Sequence, residues 1–229
     1  MSLTLKEMEA EVAEFDMSEK MNKIHHIDCL EFMKQVPDDY FDLVLTDPPY
    51  GIGIDGQKKS INKNNPKANR KAHSFKGWDS TTPSKELFDE IFRISKNQVI
   101  WGANYFVNKL EKNTKGWIIW DKGQRGLTMS DCELAYSSYQ CATRIITFNR
   151  VEIQVDGSVH PTQKPLKLFS DILRNFTEEN HKIFDPFMGS GTTAIACKSL
   201  GLDWCGCELE ADYVEIANKR LEKVQGSLF

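Results

Sequence analysis

Short apolar runs alternate with amphipathic helical stretches along almost the whole chain, and this alternation limits the fold more than any other feature. FDLVL at 41–45, NQVIWG at 97–102, HKIFDPF at 181–187 and LDWCGCELE at 202–210 read as strands, the continuous apolar ones suited to burial on both faces. KIHHIDCL at 23–30 adds a short strand, with a helix over 31–35 after it, and GWIIWDKG at 116–123 adds another strand. Helical spacing predicts PSKELFDEIFRISK at 83–96, capped by Ser84 and ending at Lys96 and Asn97, and NYFVNKLEK at 104–112. KPLKLFSDILRNFTE at 164–178, TTAIACKSLG at 192–201 and ADYVEIANKRLEKV at 211–224 complete the helices. ELAYSSY at 133–139 and TRIITFN at 143–149 are predicted to form an antiparallel pair. The pattern is that of an α/β chain with an open, mostly parallel sheet and helices on both faces, without internal repeats.

Ahead of this body, Leu5, Met8, Val12 and Phe15 recur at helical spacing, so residues 1–22 are predicted as a helical extension and 23–224 as one domain. With 229 residues, 40% of them hydrophobic, the chain can bury one sizeable core. No apolar stretch approaches the roughly 20 residues of a membrane span. The acidic start, MSLTLKEMEAEVAEFD, is unlike a signal peptide, which predicts a cytoplasmic protein with no membrane partner. The six cysteines include no CxxC pair, so reduced structural thiols are expected and no metal site.

The net charge of −4 conceals an asymmetry. QKKSINKNNPKANRKAHSFK at 57–76 carries seven Lys or Arg and no acid, leaving 22 basic against 33 acidic residues elsewhere. Within the segment spanning 52–77, Lys58, Lys59, Lys63, Lys67, Arg70 and Lys71 form the footprint of a local polyanion contact. A solvated loop has the same composition, and a loop of this kind can order on a phosphate backbone.

Two strands end in an unusual way. FDLVL runs into TDPPYG, where Pro48 and Pro49 fix φ and remove two N–H donors between Asp47 and Tyr50, leaving an acceptor-rich turn edged by an aromatic ring. HKIFDPF stops at Asp185 and Pro186 and leads through Phe187 into GSG, where Gly189, Ser190 and Gly191 let the backbone approach a ligand and Thr192 or Thr193 is placed to cap the following helix. The spacing is neither GxGxxG nor a P-loop, so a nucleoside with little or no phosphate fits better, and a plain tight turn is the alternative. Glu208 closes the next strand, where acidic side chains in such sheets accept hydrogen bonds from ribose hydroxyls.

Together, DPPY at 47–50 and FDPFMGSGTT at 184–193 resemble the amino-group DNA methyltransferases that use S-adenosylmethionine, in the permuted order with the catalytic motif before the cofactor motif. The resemblance runs from about Ile24 to Leu221. It implies the Rossmann-like class I methyltransferase fold: a mostly parallel seven-stranded sheet with one antiparallel strand. It implies that Asp47, Pro48, Pro49 and Tyr50 are catalytic, and that Asp185, Pro186, Phe187, Gly189, Ser190, Gly191 and Thr192 bind the methionine part and backbone side of S-adenosylmethionine. Glu208 then holds the ribose and Asp28 lies near the cofactor adenine. HPTQKP at 160–165 resembles the segment that closes over the methionine end, adding Thr162, Gln163 and Lys164.

An aspartate-led DPPY implies methylation of the adenine N6 amino group in double-stranded DNA; cytosine N4, RNA adenine, or a catalytically silent DNA-binding regulator on the same fold are the alternatives. Trp78, Trp101, Asn104 and Tyr105 are candidate pocket residues. Relatives in this motif order commonly carry a separate recognition region, but here only 123–159 are available, which predicts a short or relaxed target sequence. Homodimerisation is common among such relatives. The tail QGSLF at 225–229 resembles the peptide that binds the bacterial sliding clamp, through Gln225, Leu228 and Phe229.

Overall fold

The computed structural model describes residues 15–53, 55–56, 77, 79–110, 113–126, 130–147 and 163–224. They build one eight-stranded sheet in the order β1-β8-β7-β2-β3-β5-β4-β6. The strands are β1 (Lys23–His26), β2 (Leu43–Thr46), β3 (Gln98–Trp101), β4 (Ile118–Asp121), β5 (Cys132–Ser137), β6 (Arg144–Thr147), β7 (Lys182–Asp185) and β8 (Asp203–Glu208). All neighbours run parallel except at β5, which is antiparallel to both β3 and β4. The single antiparallel strand matches the expectation, whereas the strand count is eight rather than seven.

The predicted pairing of 133–139 with 143–149 does not form. Here β4 lies between them, antiparallel to β5 and parallel to β6. Burial explains the choice: Ala135, Tyr136 and Ser137 of β5 are buried and need a neighbour on each side, whereas β6 is mostly exposed and suits an edge. The helix predicted over 104–112 is instead two short 3-10 turns, Ala103–Tyr105 and Val107–Lys109. Phe106, between them, leaves helical geometry so that its buried ring can stack on Phe88 at 4.8 Å.

Two apolar layers flank the sheet, as alternating side chains require. On one face Leu43, Leu45, Val99 and Trp101 pack against α3 (Leu166–Phe176) and α4 (Thr192–Ser199), with Leu221 of α5 (Ala211–Glu222). On the other, Val44, Ile100 and Phe184 meet α1 (Cys29–Met33) and α2 (Lys85–Ile94), whose Leu87, Phe88, Ile91 and Ile94 form one buried stripe. The Ser84 cap forms as predicted, its hydroxyl accepting from the Leu87 N–H. The first helix starts at Cys29 rather than 31, because Asp28 caps it by accepting from the Leu30 and Glu31 N–H groups.

From β2 the chain steps to β3 on one side, and from β7 to β8 on the other, so strand order reverses between β2 and β7. Ligands of open α/β sheets bind outside the carboxyl ends of the strands at such a reversal. The two strands ending in Asp-Pro are those two neighbours.

Candidate active site

The turn after β2 is held from three directions. The Tyr50 hydroxyl donates to Asp47 Oδ1 at 2.5 Å, and Lys164 Nζ donates to Asp47 Oδ2 at 2.6 Å. The Tyr50 ring stacks on Tyr105 with centroids 4.9 Å apart and 16° between planes. Against Tyr50 lies Gly102, where a Cβ would fall 2.0 Å from the ring and where φ is +69°. Only glycine meets both conditions. Beyond the turn, the Gly51 N–H donates to buried Asp79 Oδ1 at 2.8 Å, and the Gly77 N–H donates to Asp55.

Lys164 is 5% exposed and sits between two carboxylates, Asp47 and Glu133, the latter 3.0 Å away through Oε2. Lys122 Nζ holds the other Glu133 oxygen at 2.8 Å. Two cations and two anions thus form a neutral buried cluster, the condition under which interior charges are tolerated. Burial, joined by the nearby Glu133 charge, raises the Asp47 carboxyl above its usual range, with Lys164 acting against it. Burial opposes the charge on Lys164, yet Asp47 and Glu133 hold the ammonium protonated above its ordinary value. Glu133 resists its own burial through Lys164 and Lys122 and falls to about 2. Burial and the Asp47 charge push the Tyr50 phenol well up, so it remains a donor.

Across the strand reversal, Asp185 ties three elements together. It accepts from the Thr46 hydroxyl at 2.7 Å, the Phe187 N–H at 3.0 Å and the Thr193 hydroxyl. Thr193 therefore serves Asp185 instead of capping α4, whose N-cap is Gly191 with no side-chain bond. Despite these donors, burial raises the Asp185 carboxyl to about 6. Gly189, at φ +53°, donates its N–H to Glu208 Oε2 at 2.8 Å, and Glu208 Oε1 accepts from the Glu210 N–H at 2.8 Å. Burial raises Glu208 as well, against those backbone bonds. Arg220 of α5 donates to both the carbonyl and the hydroxyl of Ser190, fixing the glycine loop from behind. One cleft is lined by Asp47, Gln163, Lys164, Asp185, Phe187, Gly189, Ser190 and Thr192, so both Asp-Pro turns open into the same space.

The structure therefore brings together the turn from Asp47 to Tyr50, the loop from Asp185 to Thr192, Glu208, Gln163 and Lys164. It places Lys164 on Asp47, whereas the sequence resemblance assigned it to the cofactor segment. Asp28 caps α1 near the end of β1, beside β8. Trp101 is wholly buried, and Tyr105 is 43% exposed and stacks on Tyr50. Sequence reasoning missed Glu133, Lys122, Thr46, Asp79 and Arg220. Glu133 and Lys122 sit at the ends of β5 and β4, and only the antiparallel hairpin brings them together. Lys58, Lys59, Lys63, Lys67, Arg70, Lys71, Trp78, Thr162, Gln225, Leu228, Phe229 and the predicted helix over Leu5, Met8 and Val12 lie outside the described residues.

Comparison with known proteins adds an independent finding. The model of the DNA methylase family, of the N6/N4 kind, matches residues 100–219. The chain is 26% identical to the type II methyltransferase M.HinfI of Haemophilus influenzae, over 92% of this chain and 71% of that one. It is 24% identical to the type II methyltransferase M2.MboI of Moraxella bovis, over 92% of this chain and 91% of that one. Among solved structures, the M1.HpyAVI complex with SAM superposes with a TM-score of 0.54 at 24% identity, over 87% of this chain and 99% of that one.

Proposed function

The chain belongs to the DNA methylase family, and on that premise we propose that it transfers a methyl group from S-adenosylmethionine to the N6 amino group of an adenine flipped out of double-stranded DNA. One observation carries this reading: Asp47, to which the Tyr50 hydroxyl donates, lines the same cleft as Asp185, Phe187, Gly189 and Ser190, at the strand reversal.

The cleft fits S-adenosylmethionine. A Cβ at Gly189 would meet nothing closer than 3.9 Å, so the loop offers open backbone, and the buried carboxylate of Asp185 and the partly buried one of Glu208 supply acceptors for an ammonium and for ribose hydroxyls. Asp185, Phe187, Gly189, Ser190, Gly191, Glu208 and Gln163 are the residues we assign to hold it. When bound, it supplies an electrophilic methyl group on a sulfonium.

The chain's own residues have to make a poor nucleophile competent. An exocyclic base amine delocalises its lone pair into the ring. The Asp47 carboxylate and the Pro48 carbonyl accept its two hydrogens, which favours a pyramidal nitrogen with the lone pair directed outward. No strong base is needed before attack; positioning and charge dispersal by Asp47 carry the catalysis. Tyr50, held by its hydroxyl, stacks on the partly exposed Tyr105, and we assign the extruded base to this aromatic pair. The aspartate at the head of the motif favours adenine over cytosine. We assign phosphate contacts to Lys58, Lys59, Lys63, Lys67, Arg70 and Lys71, and the short 123–159 region, which also supplies β5 and β6, supports a short or relaxed target sequence. Homodimerisation and docking of the 225–229 tail on a sliding clamp are further proposals resting on sequence alone.

The test is nucleoside mass spectrometry on unmethylated duplex DNA incubated with S-adenosylmethionine, wild type beside Asp47→Ala. N6-methyladenine that vanishes in the variant is the expected result. N4-methylcytosine, or methylation of RNA only, overturns the substrate assignment.

A further inference from the structure

In the structure both oxygens of Asp47 are already taken, one by the Tyr50 hydroxyl and one by Lys164. Each oxygen keeps a second lone pair, but a target amine that takes the position Lys164 now fills on Oδ2 must displace the ammonium. Lys164 is the one with somewhere to go. Its ammonium already lies 3.0 Å from Glu133 Oε2, a buried oxygen that receives no aligned hydrogen bond. Lys122 anchors the other Glu133 oxygen at 2.8 Å, holding the carboxylate in place while leaving Oε2 spare.

The ion pair between Lys164 and Glu133 Oε2 is not an aligned hydrogen bond, so a small turn of the ammonium toward Oε2 gains one. Resting on the methyltransferase reading above, we propose that Lys164 is a placeholder for the substrate amine and that Glu133 is the positioning residue that receives it. Before the base enters, the ammonium neutralises Asp47 and occupies Oδ2. As the amine docks, the ammonium turns onto Glu133 Oε2, with no proton transferred. Lys164, paired with both carboxylates at rest, keeps Glu133 when it gives up Asp47 and is never left unpaired. Asp47 stays ionised and is free to disperse the positive charge that grows on the amine nitrogen. The move is a rotation of one side chain, because both acceptors are already within 3.0 Å.

The experiment is a double-mutant cycle on the single-turnover rate of methyl transfer to unmethylated duplex DNA, with S-adenosylmethionine affinity measured separately by calorimetry. Glu133→Gln should slow transfer by about tenfold while cofactor affinity changes by less than about twofold, and Glu133→Asp should recover part of the rate. In a Lys164→Met background the further cost of Glu133→Gln should shrink to about twofold or less, because nothing remains to be relocated. If Glu133→Gln does not fold, Lys122→Met, which releases the anchored oxygen, replaces it in the same cycle with the same expectation. Equal losses in both backgrounds, or full speed in Glu133→Gln, overturn the placeholder role while methylation by the wild type stands. A wild type that methylates no DNA removes the underlying reading, and the placeholder with it.

Discussion

Asp185 accepts three hydrogen bonds and still titrates near 6, because burial costs its charge more than the donors return. Its folded-state value is above the ordinary 3.8, so the folded chain holds that proton more tightly and loses stability as pH rises from about 4 through 6. Glu133 acts in the opposite sense: at about 2 against 4.5, it contributes stability that is present above its ordinary value and lost as pH falls toward 2. Urea midpoints of wild type and Asp185→Asn across this range should separate progressively, the variant losing less stability between pH 4 and 6. Taking the difference between the two curves isolates Asp185 from Asp47 and Glu208, which are raised by burial as well, and from His25, which burial lowers. Parallel curves would place the titration elsewhere.

At the scale of elements, the turn from Asp47 to Tyr50 depends on a neighbour that makes no hydrogen bond to it. Gly102 opens the 3-10 turn after β3 at φ +69°, and its missing Cβ is the space that the Tyr50 ring fills. Gly102→Ala therefore forces Tyr50 to shift and strains the backbone, at about 1–2 kcal/mol for the left-handed conformation alone. A displacement of about 1 Å at Tyr50 should lower the single-turnover rate by about 100-fold. S-adenosylmethionine affinity, read by calorimetry, should hold, because the glycine loop is fixed separately by Arg220 and Glu208. Loss of cofactor binding instead would mean that the two turns are mechanically coupled.

Across the whole molecule, the charge is divided between an acidic body and the basic 57–76 segment, whose flanks are tied down by Asp55 to Gly77 and by Asp79 to Gly51. Joining Gly56 directly to Gly77 should therefore leave the domain folded, weaken duplex DNA binding and flatten its salt dependence. The logarithmic slope should become shallower by about 0.9 for each phosphate that is no longer neutralised. Unchanged binding would remove the segment from the interface. None of the helices among the described residues is long and apolar enough to cross a membrane. By itself the sequence determined the alternating α/β plan, the two Asp-Pro strand ends and the Ser84 cap, because strand and helix periodicity, proline stops and capping are local properties of a few neighbouring residues. Which strands become neighbours was decided only in three dimensions. That β4 separates β5 from β6 depended on how much of each strand could be buried, and that Phe106 breaks a predicted helix depended on a ring partner in α2. The Lys122, Glu133, Lys164 and Asp47 cluster was illegible for the same reason: its members come from separate segments, and charge balance in a buried site acts between side chains that only packing brings together.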